Sequence, residues 1–292
     1  MRLHPLAWQF MHFIGKADFR DSLGGYDVSR LFHFRDSLDP EAKGSDTFCF
    51  HREDCLPKLR SGTRLEPIPD ILIFDVDGVL VDVRDSFWRS ALQTMRFLTG
   101  KRVTWAELFK WKNKPGNNDD WRMVSNWATA QGRPTTYEQA RDAFQQFYWD
   151  YDGRPGNVHR EKMLVTPKHV ERWAKRFELN LFTGRTRKEF TYTFERWACA
   201  RHFHTVVTMD DVARRKPYPD GLLKILKGRE PGTALYVGDN VDDALAAKAA
   251  GVRFMAILPV GAYGYRQRAA QFRELGALAL LPRATAIDAW LK

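Results

Sequence analysis

The second half of the chain alternates short apolar runs with helical segments, and this alternation restricts the possible folds more than any other feature. Four of the runs have the length of buried strands, and they lie at residues 179–183, 204–209, 234–237 and 254–258. Strands that alternate with helices form parallel sheets, because a helix provides the crossover that a parallel connection needs. The sequence therefore predicts an α/β fold with a doubly wound, Rossmann-like parallel sheet.

An earlier apolar run ends in two acidic residues and a glycine. The segment ILIFDVDGVL occupies residues 71–80, so Asp75 and Asp77 follow the run and Gly78 comes next. The carboxyl ends of strands are where open α/β sheets place their ligands. Two carboxylates held together there repel each other unless a cation lies between them. The pair therefore predicts a divalent metal site and, with it, phosphate chemistry.

Three later segments place polar residues after or between apolar runs. Thr183 follows LNLF, Lys216 begins KPYPD, and Asp239 and Asp243 lie within YVGDNVDDA. Together with the acidic pair, and in this order, the segments resemble the four motifs of the haloacid dehalogenase (HAD) superfamily. The resemblance covers roughly residues 70–290. Within the superfamily, the chain is similar to the phosphoglycolate-phosphatase-like hydrolases of subfamily IA.

The resemblance assigns different chemical roles to the two acids of the first motif. Asp75 is expected to be the nucleophile, because a carboxylate can attack phosphorus and form an aspartyl-phosphate. Asp77 is expected to be the general acid and base, which protonates the leaving oxygen and then takes a proton from water. Dehalogenases and phosphonatases of the superfamily lack an acid at this second position. Its presence therefore indicates phosphoryl transfer from an oxygen ester.

Further motif residues are expected to contact the phosphoryl group. Thr183 and Gly184 lie at a strand end before a helix, where a hydroxyl and backbone amides bind phosphate oxygens well. Lys216 is expected to neutralise charge on the nucleophile and on the transferring phosphoryl group. Arg185 has two open interpretations, which are a contact with the phosphate and a solvated surface arginine.

The acids of the first and fourth motifs are the expected metal site, and Mg²⁺ is the expected cofactor. By resemblance, Asp75, Asp239 and the backbone carbonyl of Asp77 bind the metal, while Asp243 completes the site by holding its water shell. Mg²⁺ keeps several waters and binds few carboxylates, which suits this set. Asp242 matches no motif position, and we expect it to cap the helix that it begins.

The region between the first two motifs has a helical pattern and resembles the mobile cap of HAD subfamily I. We therefore expect an all-helical cap at residues 84–177, inserted into a core domain formed by residues 69–83 and 178–292. Residues 1–68 do not fit the HAD pattern, and they form an N-terminal extension of unknown role.

Two capping boxes mark helix starts within the expected cap. Thr104 precedes Glu107 by three residues, and Thr135 precedes Glu138 in the same way. In such a box the threonine side chain accepts a bond from a backbone amide, and the glutamate reaches back to the start of the helix. Both helices should therefore begin directly after the threonines.

A polar loop at residues 114–121 is the candidate for substrate recognition. It contains a glycine and lies between predicted helices. Such a loop could close over the site as mobile lids do, with Asn117 and Asn118 contacting the leaving group. A plain surface connection is the alternative. In either case, the choice of substrate is expected to lie in the cap.

Composition bears on the cellular setting and on the partners. No apolar run reaches the ~18 residues needed to span a bilayer, and the first residues lack the pattern of a signal peptide. Three cysteines give no disulfide framework, so a reducing cytoplasm is the expected location. The net charge of +10 has three open interpretations. It could attract anionic substrates, it could bind nucleic acid nonspecifically, or it could be a basic surface without a specific partner.

The predicted function is Mg²⁺-dependent hydrolysis of a small phosphorylated metabolite through an aspartyl-phosphate. A phosphomutase of the β-phosphoglucomutase type is an alternative, because it uses the same residues and keeps the phosphoryl group until the sugar reorients. A third hypothesis is a nucleic-acid-binding or interaction protein on a HAD scaffold, against which the intact motif residues argue. No membrane partner is expected, nucleic acid is not a favoured partner, and the protein is expected to be a monomer or a homodimer.

Overall fold

The computed structural model describes residues 65–194, 196–197 and 199–292. The predicted N-terminal extension, residues 1–68, lies outside the described residues up to position 64. Within the described part, helices and strands alternate from Pro167 onward. No helix of this part is long and apolar enough to span a bilayer.

A six-stranded parallel sheet forms the centre of the described chain. The strands of the described chain are, in order, β1 (Ile71–Phe74), β2 (Val81–Asp82), β3 (Lys162–Met163), β4 (Glu178–Phe182), β5 (Phe203–Val207), β6 (Ala234–Gly238), β7 (Arg253–Ile257) and β8 (Leu280–Leu281). Strands β2 and β3 form a separate short pair, and the other six form the sheet. The sheet has the order β5-β4-β1-β6-β7-β8, and each neighbouring pair is parallel. The prediction of a doubly wound α/β fold is confirmed. Because β1 lies between β4 and β6, the residues that follow these strands meet at one edge of the sheet.

Some of the helices lie along the chain between β2 and β3, and the others connect the strands of the sheet. The helices are α1 (Arg89–Thr99), α2 (Trp105–Lys112), α3 (Asp120–Ala130), α4 (Tyr137–Tyr148), α5 (Pro167–Ala174), α6 (Arg187–Phe194), α7 (Asp220–Leu226), α8 (Val241–Ala250) and α9 (Tyr265–Glu274). The first four lie between β2 and β3, and a π-helical turn at Arg84–Trp88 leads into α1. Helix α9 and strand β8 extend the predicted alternation by one more unit.

Side chains of β1 alternate between two apolar clusters, which lie on opposite faces of the sheet. Leu72 and Phe74 belong to the larger cluster, and the two isoleucines of the strand belong to the smaller one. This is the period of two expected for a strand buried on both faces. The indole of Trp173, in α5, stacks on Phe74 with the ring centroids 5.1 Å apart. Helix α5 therefore packs on the sheet, although its residues fall within the range 84–177 predicted for the cap.

The helices between β2 and β3, which we call the cap helices, pack around aromatic side chains that belong to the larger of the two apolar clusters. The ring centroid of Phe87 lies 4.5 Å from that of Tyr148 and 5.8 Å from that of Phe144. The two chain connections to these helices pair with each other as an antiparallel β2–β3 ribbon. Strand β3 is an addition to the sequence prediction, which placed only helices at residues 84–177.

The helix starts in the cap differ in detail from the predicted capping boxes. Thr104 accepts a bond from the backbone N–H of Glu107 at 3.2 Å, but the Glu107 carboxylate accepts from the indole of Trp127 at 2.9 Å instead of reaching back. The second box lies one residue later than predicted, at Thr136 and Gln139. Both threonines before α4 are capable caps, so the sequence alone does not distinguish the two registers.

Replacing Trp173 by alanine should strongly destabilise the protein. The indole is 2% exposed, stacks on Phe74 and donates to Asp288 at 2.6 Å. Its removal should lower the free energy of unfolding by about 3–5 kcal/mol. Urea denaturation followed by circular dichroism measures this. The control is Phe97→Ala in α1, where the ring is 62% exposed and the expected change is within about 0.5 kcal/mol. Similar losses for both variants would contradict the packing described here.

Candidate active site

Three aspartates form a compact acidic cluster at the carboxyl edge of the sheet. Asp75 follows β1, Asp239 follows β6, and Asp243 lies in the first turn of α8. One carboxylate oxygen from each lies within 4.8 Å of the others. The structure therefore brings together three of the four predicted metal residues. The carboxylate of the fourth residue, Asp77, does not belong to this cluster. The prediction for Asp77 concerns its backbone carbonyl, so it does not require the side chain to lie there.

Gly78 permits the close approach of β1 and β6 at this cluster. Its φ of +75° lies in the left-handed region, which favours glycine. A Cβ at this position would lie 2.2 Å from Oδ2 of Asp239. Any side chain here would therefore strain the turn and displace a carboxylate of the cluster.

Lys216 lies between two of the carboxylates. Its Nζ donates to Oδ1 of Asp75 at 2.8 Å and lies 2.7 Å from Oδ1 of Asp243. Burial alone would lower the pKa of Lys216, but the charges of Asp243 and Asp75 outweigh burial and raise this pKa above its ordinary value. The ammonium therefore stays charged at neutral pH, next to the predicted nucleophile.

The remaining negative charge of the cluster fits a divalent cation. Burial raises the pKa of Asp75 well above its usual range, against the opposing charge of Lys216. Burial likewise raises the pKa of Asp239 to about 7, against the opposing charge of Arg268. A cation bound between these groups would favour their ionised forms. Carboxylate oxygens are the ligands that hard divalent cations prefer, so the donor set and the metal agree.

Asp243 already accepts hydrogen bonds on both carboxylate oxygens. Oδ1 lies near Lys216 and accepts from the hydroxyl of Tyr236 at 2.7 Å. Oδ2 accepts from the backbone N–H groups of Asp239 and Asn240 at 3.1 and 2.9 Å. Asp243 therefore anchors Lys216 and the loop after β6, while Asp75 and Asp239 are the carboxylates of the cluster with oxygens open to a cation.

Thr183 and Gly184 follow β4, beside Asp75 on the neighbouring strand. The Thr183 hydroxyl accepts from the backbone N–H of Arg185 at 3.1 Å, which leaves its own proton for another acceptor. Gly184 lines a cavity together with Asp75, Asp77 and residues of the cap helices. The predicted phosphate-binding residues therefore lie at the same edge as the acidic cluster.

The cavity is small, and the cap loop at residues 114–121 lines part of it. Its volume of about 50 Å³ has room for a few water molecules. Asn118 lines it, and the side-chain nitrogen of Asn118 lies 3.2 Å from the position of a Cβ on Gly184. Asn117 does not line it, and its side chain donates to the backbone carbonyl of Trp111 at 2.9 Å. The two asparagines thus have different surroundings, one at the cavity and one within the loop.

Asp242 anchors the cap loop to the core. Its buried carboxylate accepts from the backbone N–H groups of Gly116 and Asn118, at 2.8 and 3.2 Å. The expectation that Asp242 caps its own helix is wrong, because Asn240 is the N-cap of α8 and accepts from the N–H of Asp242. The physical reason is that Asp242 lies inside the first turn of α8, where its side chain is directed to the neighbouring loop.

A second contact between core and cap is made by Arg215, the residue before Lys216. Its guanidinium donates to Asp119 at 2.9 Å and to the hydroxyl of Tyr137 at 2.7 Å. Asp119 also caps α3 through its other oxygen. Arg215 thus connects the segment that presents the lysine to the cap loop and to α4.

Sequence reasoning missed an ion pair inside the cavity. Lys112 and Asp120 lie 2.6 Å apart, with side chains only 12% and 9% exposed. Both line the cavity. Lys112 precedes the polar loop at residues 114–121 and Asp120 lies near its end, and these opposite charges at the two ends of a candidate lid were the signal that could have indicated the pair.

Arg185 is neither exposed nor directed to solvent. Its side chain is fully buried, so the interpretation as a solvated surface arginine is wrong. Its Nε and Nη2 atoms donate to Oδ1 of Asp77, at 2.8 and 2.6 Å. The predicted general acid is therefore held by an arginine from the second motif.

Comparison with known proteins identifies the family of this chain. Residues 72–257 match the profile of the family described as Haloacid dehalogenase-like hydrolase. The chain is 38% identical over 213 residues to Phosphoglycolate phosphatase 1 of Pseudomonas aeruginosa, and the match covers 68% of this chain and 71% of that protein. It is 28% identical over 201 residues to a Phytophthora nicotianae protein named Imidazoleglycerol-phosphate dehydratase, covering 66% of this chain but only 44% of that protein's length.

A solved structure shares the fold at low sequence identity. A haloacid dehalogenase-like family hydrolase from Streptococcus pneumoniae superposes with a TM-score of 0.59 at 15% identity, and the match covers 77% of this chain and 99% of that one. The family profile spans most of the chain and includes the polar residues of all four motifs. The chain belongs to the haloacid dehalogenase-like hydrolases and is an enzyme of that family.

Replacing Gly78 by alanine should weaken metal binding. The new Cβ would collide with Asp239, and indirect disturbance of a ligand typically lowers metal affinity about 10–100-fold. Titration with Mn²⁺, followed by electron paramagnetic resonance, measures the affinity. The control is Gly100→Ala, because Gly100 also has a positive φ, of +67°, but has open space around its Cβ position. Equal affinities for the two variants would argue against a metal at this cluster.

Proposed function

We propose that this enzyme is a Mg²⁺-dependent phosphatase, which hydrolyses a small phosphorylated metabolite through an aspartyl-phosphate on Asp75. The observation that carries the proposal is the position of Lys216, 2.8 Å from Asp75 and within the same buried cluster as Asp243. A charged lysine beside a strand-end carboxylate suits the attack of that carboxylate on a phosphoryl group. The similarity to a relative named Phosphoglycolate phosphatase 1 supports the same reaction class.

In the first step, a carboxylate oxygen of Asp75 attacks phosphorus as the bond from phosphorus to the ester oxygen breaks. Lys216 offsets the negative charge of the nucleophile and of the phosphoryl group. The hydroxyl of Thr183 and the backbone amide of Gly184 bind phosphoryl oxygens. Bound by Asp75 and Asp239, with the carbonyl of Asp77, Mg²⁺ would supply further positive charge. Asp243 keeps Lys216 in place through its own ion pair.

Asp77 moves the proton in both steps. In the first step it protonates the leaving oxygen, which departs as an alcohol. In the second step it accepts a proton from water as the water oxygen attacks phosphorus and releases Asp75. Asp77 lines the cavity together with Asp75, which suits this shuttle. Inorganic phosphate and the free enzyme result.

The cap loop supports a small substrate. Asn118, Lys112 and Trp121 line the cavity together with Asp75 and Asp239, and the volume of about 50 Å³ has room for little beyond a phosphoryl group. We propose that Asn118 contacts the leaving group and that the loop opens for substrate exchange. The cap at residues 84–177, a cytoplasmic location and a monomeric or homodimeric state stay predictions.

Replacing Asp75 by asparagine should abolish phosphate release, because an amide cannot form the aspartyl-phosphate. The expected loss in kcat is more than about 10³-fold, measured as inorganic phosphate from a panel of small phosphate esters with Mg²⁺. Removing the metal with EDTA should stop wild-type turnover, and added Mg²⁺ should restore it. The control is Asp142→Asn, which should keep the wild-type kcat, since Asp142 forms an exposed ion pair with Arg141 and does not line the cavity.

Absence of release from every ester of the panel would contradict the proposal. A phosphomutase would give a different result, namely dependence on a bisphosphate activator and return of the phosphoryl group to the sugar.

A further inference from the structure

All five N–H groups of the Arg185 guanidinium are used within the protein. Nε and Nη2 donate to Oδ1 of Asp77, at 2.8 and 2.6 Å. Nη2 and Nη1 donate to the two carboxylate oxygens of Glu161, at 3.0 and 3.1 Å. Nη1 also donates to the hydroxyl of Thr193 at 2.7 Å. Because an arginine has five such donors, none is left for a substrate phosphate in this arrangement.

The surroundings fix the plane of the guanidinium as well as its hydrogen bonds. The ring of Phe87 lies 4.9 Å from the guanidinium carbon. Tyr148 donates to Glu161 at 3.0 Å, and Thr193 donates to the same carboxylate at 2.7 Å. A buried, fully hydrogen-bonded arginine of this kind has one orientation, and so has the carboxylate oxygen that it holds.

The hydrogen bonds of Asp77 are asymmetric. Both bonds from Arg185 end on Oδ1, and no hydrogen bond from the described residues reaches Oδ2. Asp77 lines the cavity and its side chain is 27% exposed, whereas that of Arg185 is fully buried. One oxygen of the carboxylate is thus anchored, and the other is available for proton transfer.

We propose that Arg185 is a positioning residue for the general acid, and that Glu161 in turn positions Arg185. The inference rests on the proposed phosphatase function. Arg185 follows Thr183 and Gly184 in the second motif, and Glu161 directly precedes strand β3 of the β2–β3 ribbon. The guanidinium therefore joins three segments: the first motif, the second motif and the connection to the cap helices. Its role is to hold the Asp77 carboxylate where it reaches the leaving oxygen.

The requirement for this acid depends on the leaving group. An alkoxide is a poor leaving group and needs a proton as the bond to phosphorus breaks, whereas p-nitrophenolate leaves without one. Loss of acid positioning should therefore slow hydrolysis of alkyl phosphates selectively. A purely structural role of Arg185 would instead slow both kinds of ester alike.

The test compares Arg185→Lys with the wild type on a small alkyl phosphate and on p-nitrophenyl phosphate. Lysine keeps the positive charge but cannot hold Asp77 and Glu161 simultaneously in a planar fork. We expect kcat for the alkyl ester to fall about 10–100-fold, within the range of general acid catalysis, and kcat for the aryl ester to change less than about threefold. The control Arg187→Lys lies two residues on, in an exposed ion pair with Asp211, and should change neither rate.

A double-mutant cycle sharpens the result. In an Asp77→Asn background there is no acid to position, so Arg185→Lys should not slow the alkyl ester further. Thermal unfolding checks that each variant folds. If Arg185→Lys does not fold, Glu161→Gln is the second variant, because it keeps the size of the side chain and removes the charge that holds the guanidinium. It should give the same preference for the aryl ester, with a smaller change.

Equal losses on the two esters, or additive losses in the cycle, would overturn the positioning role. So would a loss of cooperative folding in both Arg185→Lys and Glu161→Gln, since the arginine would then be a structural residue. Hydrolysis of neither ester by the wild-type enzyme would overturn the proposed function and this inference with it. Hydrolysis of both esters without selective loss would overturn the inference alone.

Discussion

The buried ion pairs of Lys216 with Asp75 and Asp243 are the interaction on which the site depends. Parallel pairing of β1 with β4 and β6 brings the strand ends together, but it also buries carboxylates next to one another. Removing charges from water costs several kcal/mol for each ion, and that cost is offset only when partners lie close. One ammonium offsets only part of the negative charge of three aspartates. A cation beside Asp75 and Asp239 would complete the balance, so binding of metal and stability of this edge are linked.

The cap loop is joined to the core through two sets of polar contacts. Asp242 accepts from backbone N–H groups of the loop, and Arg215 donates to Asp119 and Tyr137. These partners would hydrogen-bond to water if the loop moved away, and each contact involves a charged group, so the net free energy of each contact is about 1.5–3 kcal/mol. A few contacts of this size hold the loop beside the cavity without fixing it permanently, which suits a site that has to admit a substrate and release phosphate.

The fold and the positions of the motif residues could be predicted because their signals are local. An apolar run, a polar residue at its end and the start of a following helix lie within some ten residues, and β4 with Thr183 and α6 is an example. The functions of Asp242 and Arg185 could not be predicted, because their partners are distant in sequence. Gly116 lies 126 residues from Asp242, and Asp77 lies 108 residues from Arg185. No periodicity encodes such pairs, since they arise only after cap and core have packed.

Arginine, rather than lysine, suits the position after Gly184 for a geometric reason. A point charge could pair with Asp77 or with Glu161, but a planar fork with five donors can orient both at once. Displacement of Glu161 would leave N–H groups of a buried guanidinium without acceptors, at a cost of about 1–3 kcal/mol for each group. Because Glu161 directly precedes the β2–β3 ribbon, the geometry of the cap connection and the orientation of Asp77 are not independent. The orientation of Asp77 and the position of the cap connection therefore depend on the same side chain.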